Sequence, residues 1–400
     1  MTLRHWIIGL ALGTAACAAV SPAPDEHTAQ HEPAPKTHAA SDAPKPSSAP
    51  EPGPAPKAEP WAAASARFRS NGGWLGADSA YSVPLDDTHV LWLFADTFLD
   101  PTRDGTRENG PNYFIRNSVG IQSGPTPEAA HDLASSALTF HWGPVQNAAP
   151  TSFFRDIDGS ERWVWPLHGA RLPGGELLVF RMQVAHEAGG LGFRVDSWDA
   201  IAIDDPLAPP QHWKPRVIAP ATKQHGKLVG SSVLVHDGHL YAYAVDNTGG
   251  DHAISLARWS LAQLAGLRDG VLADPEWWTG EAFVRQSALP EGARPGVLFG
   301  GGQVELSVHY DAAQKRFVEV QMAGLFVSDA ATQVGRRVAP QPEGPWSALQ
   351  PLHRPAESSR DNAADLVAYA AKLHPEQRGG DAVVTYMVND LKRFPPADAL

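Results

Sequence analysis

Five times along this chain, a run of apolar residues turns through Gly, Pro, Asp or Asn and a second run follows at once. Residues 81–85 turn through 86–89 into 90–95, and 165–172 turn through a Pro-Gly-Gly into 177–183. Residues 230–238 lead into 239–246, 303–310 pass through 311–315 into 317–322, and 369–374 pass through 375–380 into 382–389. Alternating or continuous apolar residues on either side of such turns predict strand pairs. Helical periodicity is nearly absent, with 261–267 the best short candidate. Short strands with Gly and Pro turns predict an all-β architecture. The second strands start near residues 90, 177, 240, 317 and 382, a spacing that suits four-stranded units with variable outer loops. Arranged radially, five such units make a five-bladed β-propeller, which leaves only short protected edges. A β-sandwich with extra strands fits five recurring hairpins poorly.

The propeller gathers chemistry from remote segments. The first strand of each unit lines the axis, and its start shares a rim with the end of its partner. That rim receives Asp78 and Asp96, His168 and Gln183, Ser231 and Asp246, Glu305 and Gln321, then Lys372 or His374 with Asn389. Asp78 and Asp96 are equally far from the centre of the first hairpin, so they fall opposite one another. Carboxylates that close resist ionising together, which yields one acid and one base. Register decides the outcome, because a one-residue slip turns a side chain to the other face.

A funnel holding Asp, Glu and His suits glycoside hydrolysis, which needs a carboxylic acid for the leaving oxygen and a second carboxylate as base or nucleophile. Asp78 and Asp96 are the first candidate pair. Glu305, flanked by Val304 and Leu306, is a second candidate for the acid, or else a partner of a nearby Arg. His168 either binds substrate or is a core histidine satisfied by backbone, and Asp246 either binds substrate or closes a turn. The competing class is a glycan-binding module that does not cut, and a third is an envelope scaffold. There is no Gly-x-Ser-x-Gly elbow, no His-Glu-x-x-His pair and no phosphate-cradling Gly-Lys-Ser/Thr loop. No cofactor is expected; a calcium ion on the propeller axis stays open as an alternative, although no local run of carboxylates specifies one.

The first sixty residues carry the expectation about compartment. Net charge is −12, against a nucleic-acid partner, which would need a basic footprint. A basic start, a short apolar run at 7–16 and Cys17, the single cysteine, read as a signal segment over 1–17 with lipidation at Cys17. The run is too short for a permanent membrane span. Residues 18–60 are Pro, Ala, Ser, Glu, Lys and His with almost no large apolar side chain, a composition that stays disordered and extended. The expectation is an exported monomer with a Pro/Ala-rich tether and a catalytic propeller over 61–400, held at the outer membrane or cell surface by a lipid on Cys17, or else secreted after ordinary cleavage near Ala16 with Cys17 incidental. Its partner is a polysaccharide.

Several segments resemble a bacterial family catalogued as domain of unknown function 4185. They are Trp74-Leu-Gly-Ala-Asp78-Ser-Ala-Tyr-Ser, Leu91-Trp-Leu-Phe-Ala-Asp96-Thr-Phe, Asn117-Ser118, Trp165-Pro-Leu-His168-Gly, Pro342-Glu-Gly-Pro-Trp-Ser347 and Tyr369-Ala-Ala-Lys-Leu-His-Pro-Glu376. The resemblance implies a five-bladed furanosidase-like propeller and endo-action on D-arabinan of the mycobacterial cell-wall type. It implies Asp78 and Asp96 as catalytic carboxylates, with Tyr81, Asn117 and His168 as substrate contacts.

Overall fold

The computed structural model describes residues 5–11 (backbone course only), 49–51, 53–54, 56, 58–68, 72–100, 113–147, 149–155, 162–188, 192–220, 226–248, 251–264, 267–377 and 382–393. Cys17 and most of the expected tether lie outside the described residues.

The protein is all-β, and each expected hairpin opens one of five larger sheets. Sheet 1 runs Tyr81–Pro84, His89–Phe94, Ser118–Ser123, Ala137–His141. Sheet 2 runs Arg162–Arg171, Leu177–His186, Phe193–Ile203, Arg216–Pro220, with Val271–Leu272 added in parallel. Sheet 3 runs Lys227–His236, His239–Asp246, Ile254–Ser260, Glu276–Trp278, Phe283–Arg285. Sheet 4 runs Ser307–Asp311, Arg316–Ala323, Gln333–Ala339, Gln350–His353. Sheet 5 runs Leu366–His374, Ala382–Asp390, then His5–Ala11 in parallel and Ala58–Pro60. Two small sheets, one of them Trp74–Ala77 with Thr97–Leu99 and Tyr113–Ile115, accompany these. The helices are single turns or little more.

Neighbouring sheets bury apolar faces against one another. One core joins sheets 1 to 4, a second joins sheet 1 to sheet 5, and a third joins sheet 4 to sheet 5, so apolar contact runs round the whole set. Phe180 of sheet 2 shows how tight the seams are. It is fully buried, which stabilises by roughly 1.5–3 kcal/mol, and it packs against Gly230 of sheet 3. A Cβ at Gly230, whose φ is +112°, would lie 2.4 Å from Phe180 Cβ. Only glycine takes that backbone at that distance.

The first strands of the five larger sheets share no backbone ladder with one another, and polar side chains tie them. His168 joins three: its Nε2 lies 3.2 Å from Ser82 O, and its Nδ1 accepts from Val233 N at 2.9 Å. Ser232 Oγ accepts from Val308 N at 2.8 Å, and Ser307 Oγ accepts from Leu373 N at 2.8 Å. Ser82 Oγ and His374 Nδ1, 2.6 Å apart, join the first sheet to the last. Every neighbouring pair of first strands therefore carries a clasp, and the clasps close a ring. Each otherwise satisfies a backbone group or hydroxyl that burial would leave orphaned.

Candidate active site

The strand Trp74–Ala77 delivers Asp78 to one mouth of the ring. The chain then turns sharply, with Ser79 at φ 75° and Ala80 at φ 54°, before the first strand of sheet 1 begins. Left-handed backbone at non-glycine residues costs about 1–3 kcal/mol each and clusters at functional sites. Asp78 and Asp96 do face one another through the backbone: Asp78 N donates to Asp96 O at 2.9 Å, and Ala95 N donates to Asp78 O at 3.1 Å.

Their side chains have separate surroundings. Tyr369 donates its hydroxyl to Asp78 Oδ1 at 2.5 Å, and Asn389 Nδ2 donates to that hydroxyl at 2.9 Å. Asp96, 2% exposed, accepts from Trp165 Nε1 at 2.7 Å and has Arg116 at 3.6 Å. A cavity at this mouth is lined by Asp78, Glu305, Tyr369, His252, Trp165 and Phe193, among others, and Asp96 is not among its lining residues. Trp165 and Phe193 meet edge to face at 4.8 Å and form its aromatic wall. The carboxylate that shares the cavity with Asp78 is thus Glu305, delivered by the loop before the first strand of sheet 4. Lys372 Nζ lies 3.2 Å from Glu305 Oε1.

A larger cavity of about 290 Å³ lies farther along the axis, against about 80 Å³ at the mouth. It is walled by Val83, Val233, Val308 and their neighbours. Size does not decide between them. The smaller one carries two carboxylates from distant stretches of chain beside an aromatic wall, an arrangement that can break a sugar linkage.

The other expected residues are occupied. Asn117 is fully buried. It donates to Phe154 O and Val164 O and accepts from Phe154 N at 2.6 Å, pinning sheet 1 to sheet 2. His168 stacks on Tyr81 at 5.3 Å with both ring nitrogens engaged by backbone. Burial holds its pKa down to about 4, against the pull of the Ser82 carbonyl and helped by Lys372, so it is neutral. Tyr81 is buried with its hydroxyl unpartnered, and burial first, then the charge of Glu305, pushes its pKa up. Asp246 accepts from the hydroxyl and amide of Thr248 and pairs with Lys227 at 3.1 Å. Burial raises its pKa, but these donors outweigh it and bring the value to about 2. Asp246 thus closes a turn.

The expected rim register holds only in part. Lys372 stands opposite Thr385 and Gln183 opposite Val164, while Gln321 donates to Gly301 O. Tyr369, Trp165 and Phe193 were not expected as site residues. Tyr369 could have been found, because it begins the fifth hairpin where Asp78 precedes the first. Among the described residues, no group of three His, Cys, Asp or Glu side chains could hold a metal.

The fold and site define an all-β ring with two carboxylates at one mouth. The chain belongs to the family described as domain of unknown function DUF5005, whose sequence pattern matches residues 65–396. This corrects the resemblance drawn above to domain of unknown function 4185: the shared segments are short and spread over several sheets, and the match over the whole domain goes elsewhere. A search of curated proteins finds no match. Among solved structures, a candidate hydrolase from Bacteroides ovatus superposes with a TM-score of 0.57 at 15% identity, covering 79% of this chain and 80% of its own. That likeness shows the fold. Looser likenesses include an α-L-arabinofuranosidase from Podospora anserina in complex with cellotriose (TM-score 0.41, 11% identity, 82% and 89% covered). Another is an endo-arabinase from Bacteroides thetaiotaomicron (TM-score 0.37, 12% identity, 77% and 92% covered).

Proposed function

We propose that the chain is a glycoside hydrolase built as a five-bladed propeller, with Asp78 and Glu305 as its working carboxylates. One observation carries the reading: Asp78, just before sheet 1, and Glu305, just before sheet 4, open on one aromatic-walled cavity at the ring's mouth. Asp78, oriented by Tyr369, and Glu305, held by Lys372, divide two roles: one passes a proton to the leaving oxygen as the glycosidic bond breaks, and the other draws a proton from the attacking water or bonds to the anomeric carbon. Trp165 offers its ring to a sugar face while its indole N–H ties it to Asp96. Asp96 therefore supports the wall, a change from the pair first considered.

The substrate is a polysaccharide. Endo-action on D-arabinan followed from the corrected resemblance, so it enters only as one member of a panel: D-arabinan, L-arabinan, arabinoxylan and galactan, assayed for released oligosaccharides. We expect cleavage of at least one polymer. Asp78→Asn and Glu305→Gln should each lose on the order of a thousandfold in rate while still binding the substrate, since general acid–base catalysis is worth about 10²–10⁴-fold. No cleavage of any member by the unmutated protein overturns the enzyme in favour of a glycan-binding module.

Export as a monomer lipidated at Cys17 is part of the same proposal. The signal reading requires residues 5–11, which run beside sheet 5, to leave with the cleaved segment. Intact mass of the membrane-associated protein decides it: a chain starting at Cys17 with added acyl mass supports the proposal, and a chain retaining residue 5 ends it.

A further inference from the structure

Between the mouth cavity and the larger axial cavity lies the ammonium of Lys372, whose side chain is 1% exposed. Nζ lies 2.6 Å from Ser79 O, 3.2 Å from Glu305 Oε1 and 3.3 Å from Ala370 O. The Tyr81 ring centroid is 4.2 Å away. An ammonium has three protons, and here three oxygens from three separate segments take them, with an aromatic face completing the shell. An arrangement of converging carbonyls and a carboxylate is how proteins surround a bound cation.

The backbone at this point is strained, and the strain converges on Lys372. The carbonyls it holds belong to Ser79, φ 75°, and Ala370, φ 56°, and Ala80 beside Ser79 has φ 54°. Ser79 follows Asp78 directly, and Ala370 follows Tyr369, the residue that orients Asp78. The fifth sheet's first strand also changes register between Tyr369 and Lys372. Sparse backbone conformations persist only where surroundings over-determine them, and one buried charge pulls on two of these three. Burial alone lowers the Lys372 pKa, while Glu305 and Asp78 oppose that effect.

We propose that Lys372 is an internal tethered cation, filling on the axis the place an ion would take, and that it positions both carboxylates. It holds Glu305 directly and Asp78 through the Ser79 and Ala370 carbonyls. The catalytic consequence rests on the hydrolase reading, whereas the cation site does not.

Two experiments separate the claims. In Lys372→Ala the ammonium shell loses its occupant and methylammonium can enter. Raising methylammonium chloride should then raise the melting temperature of Lys372→Ala but not that of the unmutated protein, beyond a sodium chloride control, by the linkage that favours any ligand of the native state. Equal response of the two proteins overturns the cation site, whether or not any glycan is cleaved. If Lys372→Ala folds only with methylammonium present, that dependence is the same positive result; if it folds under no condition, Lys372→Met takes over. In a crystal structure of Lys372→Met, the Glu305 carboxylate and Ser79 carbonyl should leave their places, and finding them unmoved overturns the proposal. Where the unmutated protein cleaves a glycan, Lys372→Met should lose on the order of a hundredfold in kcat with KM little changed, the scale of a displacement of about 1 Å. Methylammonium should restore part of that rate to Lys372→Ala, a recovery that a merely structural lysine would not give.

Discussion

Glu319 sits fully buried on the second strand of sheet 4, paired with Arg337 at 3.0 Å through one oxygen while the other has no partner. Burial lifts its pKa to about 7 against the pull of Arg337. The folded value exceeds the unfolded one, so the folded state holds this proton more tightly. The stability it contributes is present in full below about pH 4.5 and is lost as pH rises to about 7. His168 acts in the opposite sense: with a folded value near 4, it removes stability as pH falls from about 6.5. The two slopes oppose one another across most of that window. Denaturant melts from pH 4 to 8 should therefore show a difference between Glu319→Gln and the unmutated protein that changes with pH in the 4.5–7 range. A constant difference would mean that Arg337 keeps Glu319 ionised throughout. Asp96→Asn tests the support role. Weakening the Trp165 and Arg116 contacts should raise KM and leave kcat within about tenfold, where a catalytic group would lose about 10²–10⁴-fold. The facing of Asp78 and Asp96 was legible from the symmetry of the hairpin about its turn. Their separate surroundings were not, because Tyr369, Arg116 and Trp165 come from three other stretches of chain.

At the scale of elements, the hairpins were legible because period-two apolar patterns and turn residues are local properties. The irregularities inside the strands were not. Register shifts interrupt the first strands of sheets 2, 3 and 5, at Pro166/Gly169, Val229/Ser232 and Tyr369/Lys372. A bulge of this kind re-aims the side chains that follow, which is why His168 reaches a backbone and Lys372 reaches Glu305. No residue pattern announced them beyond Gly169 and Gly230. Two variants probe this layer. Ser232→Ala orphans the Val308 amide and should cost about 1–3 kcal/mol in urea unfolding. Gly230→Ala drives a methyl into Phe180 from a backbone that disfavours it, and should cost more than Ser232→Ala. The reverse order would mean that sheets 2 and 3 slide apart easily at that seam.

For the molecule as a whole, five hairpins could be counted in the sequence, but not what joins the sheets that they open. The clasps use Ser82, His168, Ser232, Ser307 and His374, residue types common in any chain, and their meaning exists only once the first strands lie side by side. The clasp between Ser82 and His374 spans nearly the full length of the folded region and makes the arrangement circular. A linear stack of repeats can shed its last unit and keep the rest, because each unit leans on one neighbour at its end. Here each of the five larger sheets is clasped on both flanks and none is terminal. Excising the segment for any one sheet should leave no soluble smaller protein, and partial proteolysis should yield either intact domain or peptides with little between. The same circularity frees the chain's starting point: joined termini with a new opening between sheets 2 and 3 should still give a foldable protein.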